Sequence, residues 1–422
     1  MSASPQIAGW SEGLAQHAGV FFQAARLFLL TLIITLPLAE VTAFREISVI
    51  GASVCLLCYF GLRREFPRRP TALAWPLAAL VLVAALSLLT AVDFSYSLKE
   101  FRGELLKGVL VFFTGVYFIQ DEEHLSQAWA ALVAGAVLMG AAGIYFFFAD
   151  GGSLAGHQEM RAASLHYGYQ AFGTYLVTVW PFLLLGLRQA QSRKVRAVVG
   201  AALALCFFSA YLTYSRAVWC SVLVESCLVA VLLTVHRKRA AAVALGAGLV
   251  LLGLLTLLPG SRHGETWSKA WHNPESMGGT GGDLVQVWSF ALGKIEEHPF
   301  RGIGLGRHSF SKAFPEFRAT HQPLLWHAHN TFLDLALQLG VQGLVVALWM
   351  LGVFLWELWP QAPPERRQVW AGYTTAALVM VVGFTVRNLT DDFFTDDSAL
   401  MFYLLTGLAL GGKCLAKERK LV

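Results

Sequence analysis

The chain has 422 residues, of which 56% are hydrophobic and only 14% charged, and its mean hydropathy is +0.56. This composition excludes an ordinary water-soluble globular domain, in which about 25% of the residues are charged. The net charge of +5 is compatible with a nucleic-acid-binding protein, but the distribution of the basic residues argues against that class.

Apolar runs of about 20 residues, long enough to cross a bilayer, follow one another along the chain. The first run follows a weakly charged leader without a small-x-small cleavage site, so we predict a membrane span rather than a signal peptide. The pattern predicts an all-α polytopic membrane protein of about 12 transmembrane helices. The runs lie near 20–39, 44–61, 72–90, 103–119, 125–148, 168–187, 195–214, 217–235, 240–258, 331–358, 369–386 and 398–412.

Lysine and arginine collect in every second linker, apart from the acidic link 120–124. Basic residues in short loops mark the cytoplasmic side, so the alternation predicts that both termini are cytoplasmic. It also explains the positive net charge without a nucleic-acid partner. The basic residues are Arg63, Arg64, Arg68, Arg69, Arg188, Arg193, Lys194, Arg196, Arg237, Lys238, Arg239, Arg366, Arg367, Lys413, Lys417, Arg419 and Lys420.

The span count divides the chain into three parts: spans 1–9 over 1–258, a periplasmic loop over 259–329, and spans 10–12 with a cytoplasmic tail over 330–422. A loop of this length is usually functional. Its Gly-rich stretch 277–282 is predicted to be mobile. Apolar residues at helical spacing then predict a helix, ending at His298-Pro299, that lies on the membrane surface or caps the bundle.

The remaining local motifs favour structural roles. All six cysteines lie in or beside apolar runs, so we predict packing rather than a disulfide framework, including for the pair Cys55 and Cys58. The segment Gly302 to Gly306 resembles a nucleotide-binding loop only superficially, and we predict a turn.

Ionisable side chains at the mouth of a span are costly, so each needs a partner or a purpose. Arg216 lies where two apolar runs meet with almost no polar linker. Its guanidinium is suited to bidentate binding of a phosphate, although an interfacial anchor is an equal alternative. For Arg161, in the polar link 150–166, a solvated loop charge is the simpler interpretation. For Arg387 we predict a structural ion pair with a neighbouring aspartate, Asp391 or Asp392.

The densest polar signal is the segment 326–343, where the long loop re-enters the membrane. His329 would lie at the boundary between water and lipid, with a helix beginning behind it. An imidazole there can accept a proton from an attacking hydroxyl, although a lone histidine is more often structural. The loop histidines, including His327, lack the spacing of a known metal motif, so we predict no metal site.

These motifs together resemble the bacterial O-antigen ligases, within a superfamily that also contains O-antigen polymerases and protein O-oligosaccharyltransferases. The resemblance extends to the twelve-span layout, similar to the GT-C glycosyltransferase architecture, and to the long loop before the histidine. The motifs that carry it are Thr213-Tyr214-Ser215-Arg216, the segment 298–306, and His329-Asn330 followed after nine residues by Gly340 and then Gly343.

The resemblance implies a glycosyltransferase of lipopolysaccharide biosynthesis that moves O-antigen from undecaprenyl diphosphate to the lipid A core at the periplasmic face of the inner membrane. It implies no metal, cofactor or nucleic acid; the partners are the two substrates and membrane lipids. By the family pattern Arg216 and Arg161 hold the diphosphate. His329, supported by Asn330, activates the acceptor hydroxyl, and direct attack inverts the anomeric carbon. Fixed arginines would stabilise the charge that develops on the leaving diphosphate.

Two features depart from the family pattern. Asp283 stands where relatives often have an arginine, so a third phosphate-binding arginine would have to be Arg301 or Arg307. The segment 162–167 lacks the expected Gly/Asn-rich character, so Arg161 fits the pattern less well than Arg216.

Three other functions remain open. An O-antigen polymerase would use a second lipid-linked glycan as acceptor, and the complete histidine signature favours the ligase. A protein O-oligosaccharyltransferase would use a serine or threonine acceptor, and such proteins commonly carry a further C-terminal segment. A transporter or flippase would have polar residues near the middle of the bilayer, whereas here they gather at one face.

Overall fold

The computed structural model describes residues 5–154, 160–166, 168–234, 281–320, 326–360 and 369–421. Within these ranges every regular element is helical, which confirms the all-α fold. Nine of the described helices are long and apolar enough to cross a membrane. The predicted span 240–258 and the basic residues from Arg237 to Arg239, Arg366 and Arg367 lie outside the described residues, as does most of the Gly-rich stretch.

The first half of the chain contains nine α-helices in sequence, most of them at the predicted spans. A 3-10 turn at Leu88–Thr90 follows α3, and a π-helical turn at Phe101–Leu106 joins α4 to α5. The helices are α1 (Pro5–Thr35), α2 (Thr42–Arg63), α3 (Ala74–Ser87), α4 (Phe94–Glu100), α5 (Lys107–Phe118), α6 (Glu122–Ala149), α7 (Tyr169–Gln189), α8 (Arg193–Leu212) and α9 (Arg216–Thr234).

The second half contains seven described helices, of which the first three belong to the predicted loop. They are α10 (Gly281–Glu297), α11 (His308–Ala313), α12 (Pro315–Thr320), α13 (Thr331–Leu339), α14 (Val341–Leu358), α15 (Val369–Arg387) and α16 (Asp396–Leu421).

The centre of the bundle is formed by α7, α15 and α16, the most buried of the membrane spans. Helix α16 packs on α5 through Gly407 and Gly411, which lie four residues apart. A Cβ at either position would collide with a carbonyl oxygen of α5, of Phe112 and Val116 respectively. Small residues at this spacing let two membrane helices approach closely.

The predicted span 331–358 is wrong as a single helix, because the chain breaks at Gly340 into α13 and α14. Gly340 adopts φ +79°, a conformation that favours glycine. The backbone N–H of Val341 turns outward and donates to the carbonyl oxygen of Pro299 at 2.8 Å. A Cβ at Gly343 would collide with Leu339, so both glycines of the motif permit this tight break.

The segment Gly302 to Gly306 is extended before it turns, and it runs between the N-terminal half and α13. The N–H groups of Ile303 and Gly304 donate to the carbonyl oxygens of Leu337 and Gln338. Thr90 Oγ1 donates to the Gly302 carbonyl oxygen at 2.8 Å. The glycines therefore let this segment approach the backbone of α13 closely. This close packing explains the Gly-rich sequence that resembles a nucleotide-binding loop.

We expect Gly302→Ala to destabilise the protein by about 1–3 kcal/mol, the usual effect of overpacking. A Cβ at Gly302 would collide with the backbone of Gln338, which cannot move without displacing α13. Gly352→Ala on α14 is the matched control, since its Cβ would meet no atom within 4 Å. Thermal unfolding midpoints in detergent measure the difference; equal midpoints for the two variants would contradict the close approach.

The predicted loop helix is present as α10, which packs on α13 rather than lying alone. Its Val287 and Ala291 are fully buried in a small hydrophobic cluster with Phe310 and Leu337. The helix therefore caps the bundle beside the segment that carries His329.

The ends of the helices sort the linkers into two groups. Linkers predicted to be periplasmic meet at one end, where the N–H of Ala39 donates to the Leu165 carbonyl oxygen. At the other end Arg69 lies 3.7 Å from Glu418, and Lys413 lies 3.8 Å from Glu357. The geometry thus agrees with the alternation of basic linkers.

Candidate functional site

A cavity of about 880 Å³ opens at the end of the bundle where the predicted periplasmic linkers meet. Segments from both halves of the chain and the long loop contribute to its wall. The lining includes Thr42, Arg45, Glu46, Glu104, Lys107, His166, Tyr169, Gln170, Arg307, Trp326, His327, His329, Asp391, Phe393, Asp396 and Asp397.

His329 lies in the cavity wall, with 19% of its side chain exposed. Its backbone is left-handed, at φ +49°, which is uncommon for a residue other than glycine. The next residue, Asn330, is the N-cap of α13: its Oδ1 accepts from the N–H groups of Phe332 and Leu333. Its Nδ2 also donates to the Leu389 carbonyl oxygen at 3.0 Å. Asn330 therefore fixes where the helix begins and so where His329 points.

The acidic partner of His329 is Asp391, from the linker between α15 and α16. Asp391 Oδ1 lies 3.4 Å from His329 Nδ1, 3.5 Å from His327 Nε2 and 3.6 Å from Arg307 Nη2. The two histidine rings stack with their centres 3.8 Å apart. Residues far apart in the sequence thus form one compact charged cluster.

His327 supports the cluster from behind. It is fully buried, its Nδ1 lies 3.1 Å from Asp334 Oδ2, and its Nε2 lies 3.2 Å from Arg307 Nη2. The other oxygen of Asp334 accepts from the N–H of Ala328 at 3.0 Å. His327 is thereby held on both sides, whereas His329 lies at the cavity wall.

The pKa values of Asp391 and His327 are both shifted downward by their surroundings. Burial alone raises the pKa of Asp391, but the hydrogen bond from His329 and the charge of Arg387 outweigh it and hold the pKa well below its usual value. Burial, with the nearby His329 and Arg307, lowers the pKa of His327 well below normal. Near neutral pH the cluster therefore contains an ionised Asp391 beside a neutral His327.

The linker that carries Asp391 is tied to the start of α13. Thr331 Oγ1 lies 2.7 Å from both Asn388 Oδ1 and Asp392 Oδ1, and the N–H of Thr331 donates to the Asn388 carbonyl oxygen. These bonds fix the distance between Asp391 and His329.

The predicted ion pair between Arg387 and Asp391 or Asp392 is wrong for the described residues. Arg387 Nη2 instead donates to Gln170 Oε1 at 2.7 Å, and its guanidinium lies 4.2 Å from the centre of the Phe393 ring. The linker turns back toward α13, so Asp391 faces Arg307 and the histidines. Arg387 influences Asp391 through its charge only.

His327, His329 and Asp391 place one ligand atom each within 4.8 Å of one another, a spacing that a metal ion could use. The guanidinium of Arg307 lies against the same atoms of His327 and Asp391. A fixed cation at this place opposes a second one by charge repulsion. The Arg307 guanidinium therefore supplies the positive charge of the cluster, and this arrangement disfavours a metal ion.

The predicted phosphate ligands have different positions. Arg161 lies over the ring of Tyr169, 4.4 Å from its centre, and Tyr169 lines the cavity. Arg216 begins α9, which packs on α7 and α15. Arg301 is exposed on the turn after α10, whereas Arg307 belongs to the cluster itself. None of Arg161, Arg216 and Arg301 lies among the described lining residues.

Residues 201–348 match the family model described as O-antigen ligase. The chain is also similar to the O-antigen ligase of Salmonella typhimurium strain LT2, at 23% identity over 353 residues that cover 80% of this chain and 82% of the relative. The matched range contains Arg216, Arg301, His329 and Asn330. The chain is thus similar to O-antigen ligases over the matched residues.

Sequence reasoning missed part of this candidate site. Lys107 Nζ lies 2.6 Å from Glu46 Oε1, and Arg45 is paired with Asp397, all in the cavity wall. Glu104 lies in the π-helical turn, a distortion common at functional sites. Four of these side chains fall inside predicted spans 2 and 4, where an ionisable residue is itself the signal.

We expect the protein to lose stability as the pH falls below about 6.5. Burial and the charge of Arg45 lower the pKa of His166 to about 4, so the unfolded chain binds this proton first. At pH 5 the difference is about 2 kcal/mol from this residue. His166→Gln should flatten the fall in unfolding midpoint between pH 7 and pH 5; an unchanged slope would contradict a buried, neutral His166.

Proposed function

We propose that the protein transfers an O-antigen glycan from undecaprenyl diphosphate to a sugar hydroxyl of the lipid A core. The reaction would occur at the periplasmic face of the bacterial inner membrane, with both termini cytoplasmic. Similarity to the O-antigen ligases supports a glycosyltransferase-type activity. The cavity supports it further because it opens at the end of the bundle opposite the basic linkers.

The observation that carries the proposal is the pair of His329 and Asp391 in the cavity wall, 3.4 Å apart. An imidazole whose Nδ1–H donates to a buried carboxylate is oriented, and its positive form is stabilised. His329 Nε2 then takes the proton of the acceptor hydroxyl. The guanidinium of Arg307 and the buried, neutral imidazole of His327 position this pair.

The reaction breaks one bond and forms another at the same carbon. The acceptor oxygen attacks the anomeric carbon of the glycan while its proton passes to His329. The bond from that carbon to the diphosphate oxygen breaks, and the electron pair leaves with undecaprenyl diphosphate. Attack from the opposite side inverts the anomeric configuration.

The charge that grows on the diphosphate needs cations near the cavity. Arg161 and Arg216 remain our proposed ligands. Arg161 is supported by its packing on the cavity residue Tyr169, whereas Arg216, at the start of α9, is proposed from its motif. For the third cation Arg307 is a better candidate than the exposed Arg301, because it lies in the cluster. The paired charges of Arg45, Glu46 and Lys107 offer donors and acceptors suited to sugar hydroxyls.

The test is a reconstituted assay with purified protein and undecaprenyl-diphosphate-linked glycan. Parallel reactions contain lipid A core, a second lipid-linked glycan or a serine-containing peptide as acceptor. We expect glycan on the lipid A core only, with inverted configuration and equal yield in a chelator. Product only from the second lipid-linked glycan or the peptide would replace the proposal by a polymerase or a protein O-oligosaccharyltransferase.

We expect Arg216→Ala to lower transfer on the order of 10²-fold. If the guanidinium binds a phosphate bidentately, Arg216→Lys should fail nearly as badly, because an ammonium cannot reproduce the two parallel donors. Initial rates at varied donor concentration measure both variants. Near-normal activity of Arg216→Lys would show that the residue acts only as an anchor.

A further inference from the structure

A second cavity, of about 840 Å³, lies between α6, α7, α8 and α15. On α7 it is lined from Phe182 onward, whereas Tyr169 to Ala171 line the cavity that contains His329. At 1.5 Å per residue, Gly186 lies about 22 Å along the helix from Ala171. The second cavity therefore belongs to the other end of the bundle.

The interior of this second cavity is an apolar groove. Its α6 wall is one helical face that runs from Ser126 through Val133 to Leu138. Ser126 and Leu138 are twelve residues apart, or about 18 Å along the helix, close to the ~15 Å of hydrocarbon in one leaflet. A Cβ at Gly186 would collide with the Trp129 ring, so this glycine lets the ring fold onto α7.

Among the polar side chains of the groove, Lys194 and Tyr373 point to a ligand with a polar end. Lys194 lies in the first turn of α8, at the mouth of the groove, and Arg193 and Arg196 share that turn. Tyr373 lines the groove and is only 3% exposed, yet its hydroxyl makes no hydrogen bond with any described residue. A buried hydroxyl without a partner is costly. Because this hydroxyl has almost no accessible surface, a small movement of the Tyr373 ring toward the groove would bring it to a ligand acceptor.

We propose that this groove binds an anionic glycerophospholipid from the leaflet at that end of the bundle. One acyl chain fills the groove along α6, and an ester carbonyl oxygen accepts a hydrogen bond from the Tyr373 hydroxyl. Lys194 pairs with the headgroup phosphate, and the basic first turn of α8 favours a headgroup of net negative charge. The site is distinct from the cavity of His329 and does not rest on the proposed reaction.

The experiment is native mass spectrometry of the full chain released from nanodiscs with equal amounts of phosphatidylglycerol and phosphatidylcholine. We expect one retained phosphatidylglycerol, favoured at least fivefold. Ala134→Trp fills the groove at an exposed position and should remove that adduct, whereas Leu57→Trp, exposed on α2 away from the groove, should keep it. Equal adducts in these two variants would overturn the proposal.

Two further variants test the polar contacts. Lys194→Glu should abolish the preference for phosphatidylglycerol, and Arg193→Glu, which makes the same charge change outside the groove, should retain most of it. Tyr373→Phe should lower retention several-fold without lowering the thermal stability of lipid-free protein. Equal effects of the two charge reversals, or full retention by Tyr373→Phe, would mean adventitious surface lipid only.

Discussion

His329→Ala should lower glycan transfer on the order of 10³-fold, the middle of the range for loss of a general base. His329→Gln should be almost as inactive. Its amide can still donate to Asp391 but cannot take up the proton that the acceptor hydroxyl loses. Both variants should accumulate in the membrane at normal levels, because His329 lies in a cavity wall with 19% of its side chain exposed. Product formation at saturating donor, normalised to protein in the membrane, measures the effect.

His17→Ala is the matched control for the loss of a histidine from the membrane domain. His17 is exposed on α1, about 27 Å along that helix from the end that meets the cavity. The His17→Ala variant should have normal transfer activity. A normally expressed His329→Ala protein with more than a tenth of wild-type activity would rule out His329 as the base.

Asp391→Asn should also be severely impaired, on the order of 10³-fold in kcat, with little change in the KM for the lipid-linked donor. The amide keeps the size of the side chain, but it removes the charge that stabilises protonated His329 and that offsets Arg307. Because the pKa of Asp391 is held well below normal, wild-type activity should not depend on its titration near neutral pH. Because a smaller folded fraction would also lower the apparent kcat without changing KM, kcat is expressed per folded protein, as measured by the amplitude of the thermal unfolding transition.

The control for Asp391→Asn is Asp93→Asn. Asp93 caps α4 and pairs with Lys312 at the exposed surface, and asparagine caps a helix equally well. We expect activity within twofold of wild type. Equal loss in the two variants, or an Asp391→Asn protein with normal kcat, would separate Asp391 from the chemistry.

The membrane helices were predictable from sequence because hydropathy over about 20 residues is a local property. The amphipathic spacing around Val287 and Ala291 likewise identified α10. The break at Gly340 was not predictable from hydropathy, since α13 and α14 are both apolar. It depends on contacts with Pro299 and Gly302, which come from another part of the chain.

The candidate site could be predicted only in part. His329 and Asn330 carry a motif within one short segment. The partner of His329, Asp391, depends on how the linker after α15 turns. Nearness in sequence suggested that Asp391 would pair with Arg387, whereas in the structure it pairs with Arg307. The charged wall of Arg45, Glu46 and Lys107 had a local signal in predicted spans, but only the fold joins these residues to His329 in one cavity.

The most direct test of the central claim is an electron cryomicroscopy structure of His329→Gln with bound undecaprenyl-diphosphate glycan. We predict that the diphosphate lies at the 880 Å³ cavity, contacted by at least one of Arg161, Arg216 and Arg307. The anomeric carbon should then leave room for an acceptor hydroxyl that touches residue 329. The oxygen of that hydroxyl would lie about 3–3.5 Å from the anomeric carbon, the distance for attack. A diphosphate bound at the other end of the bundle, or more than one sugar length from residue 329, would contradict the account.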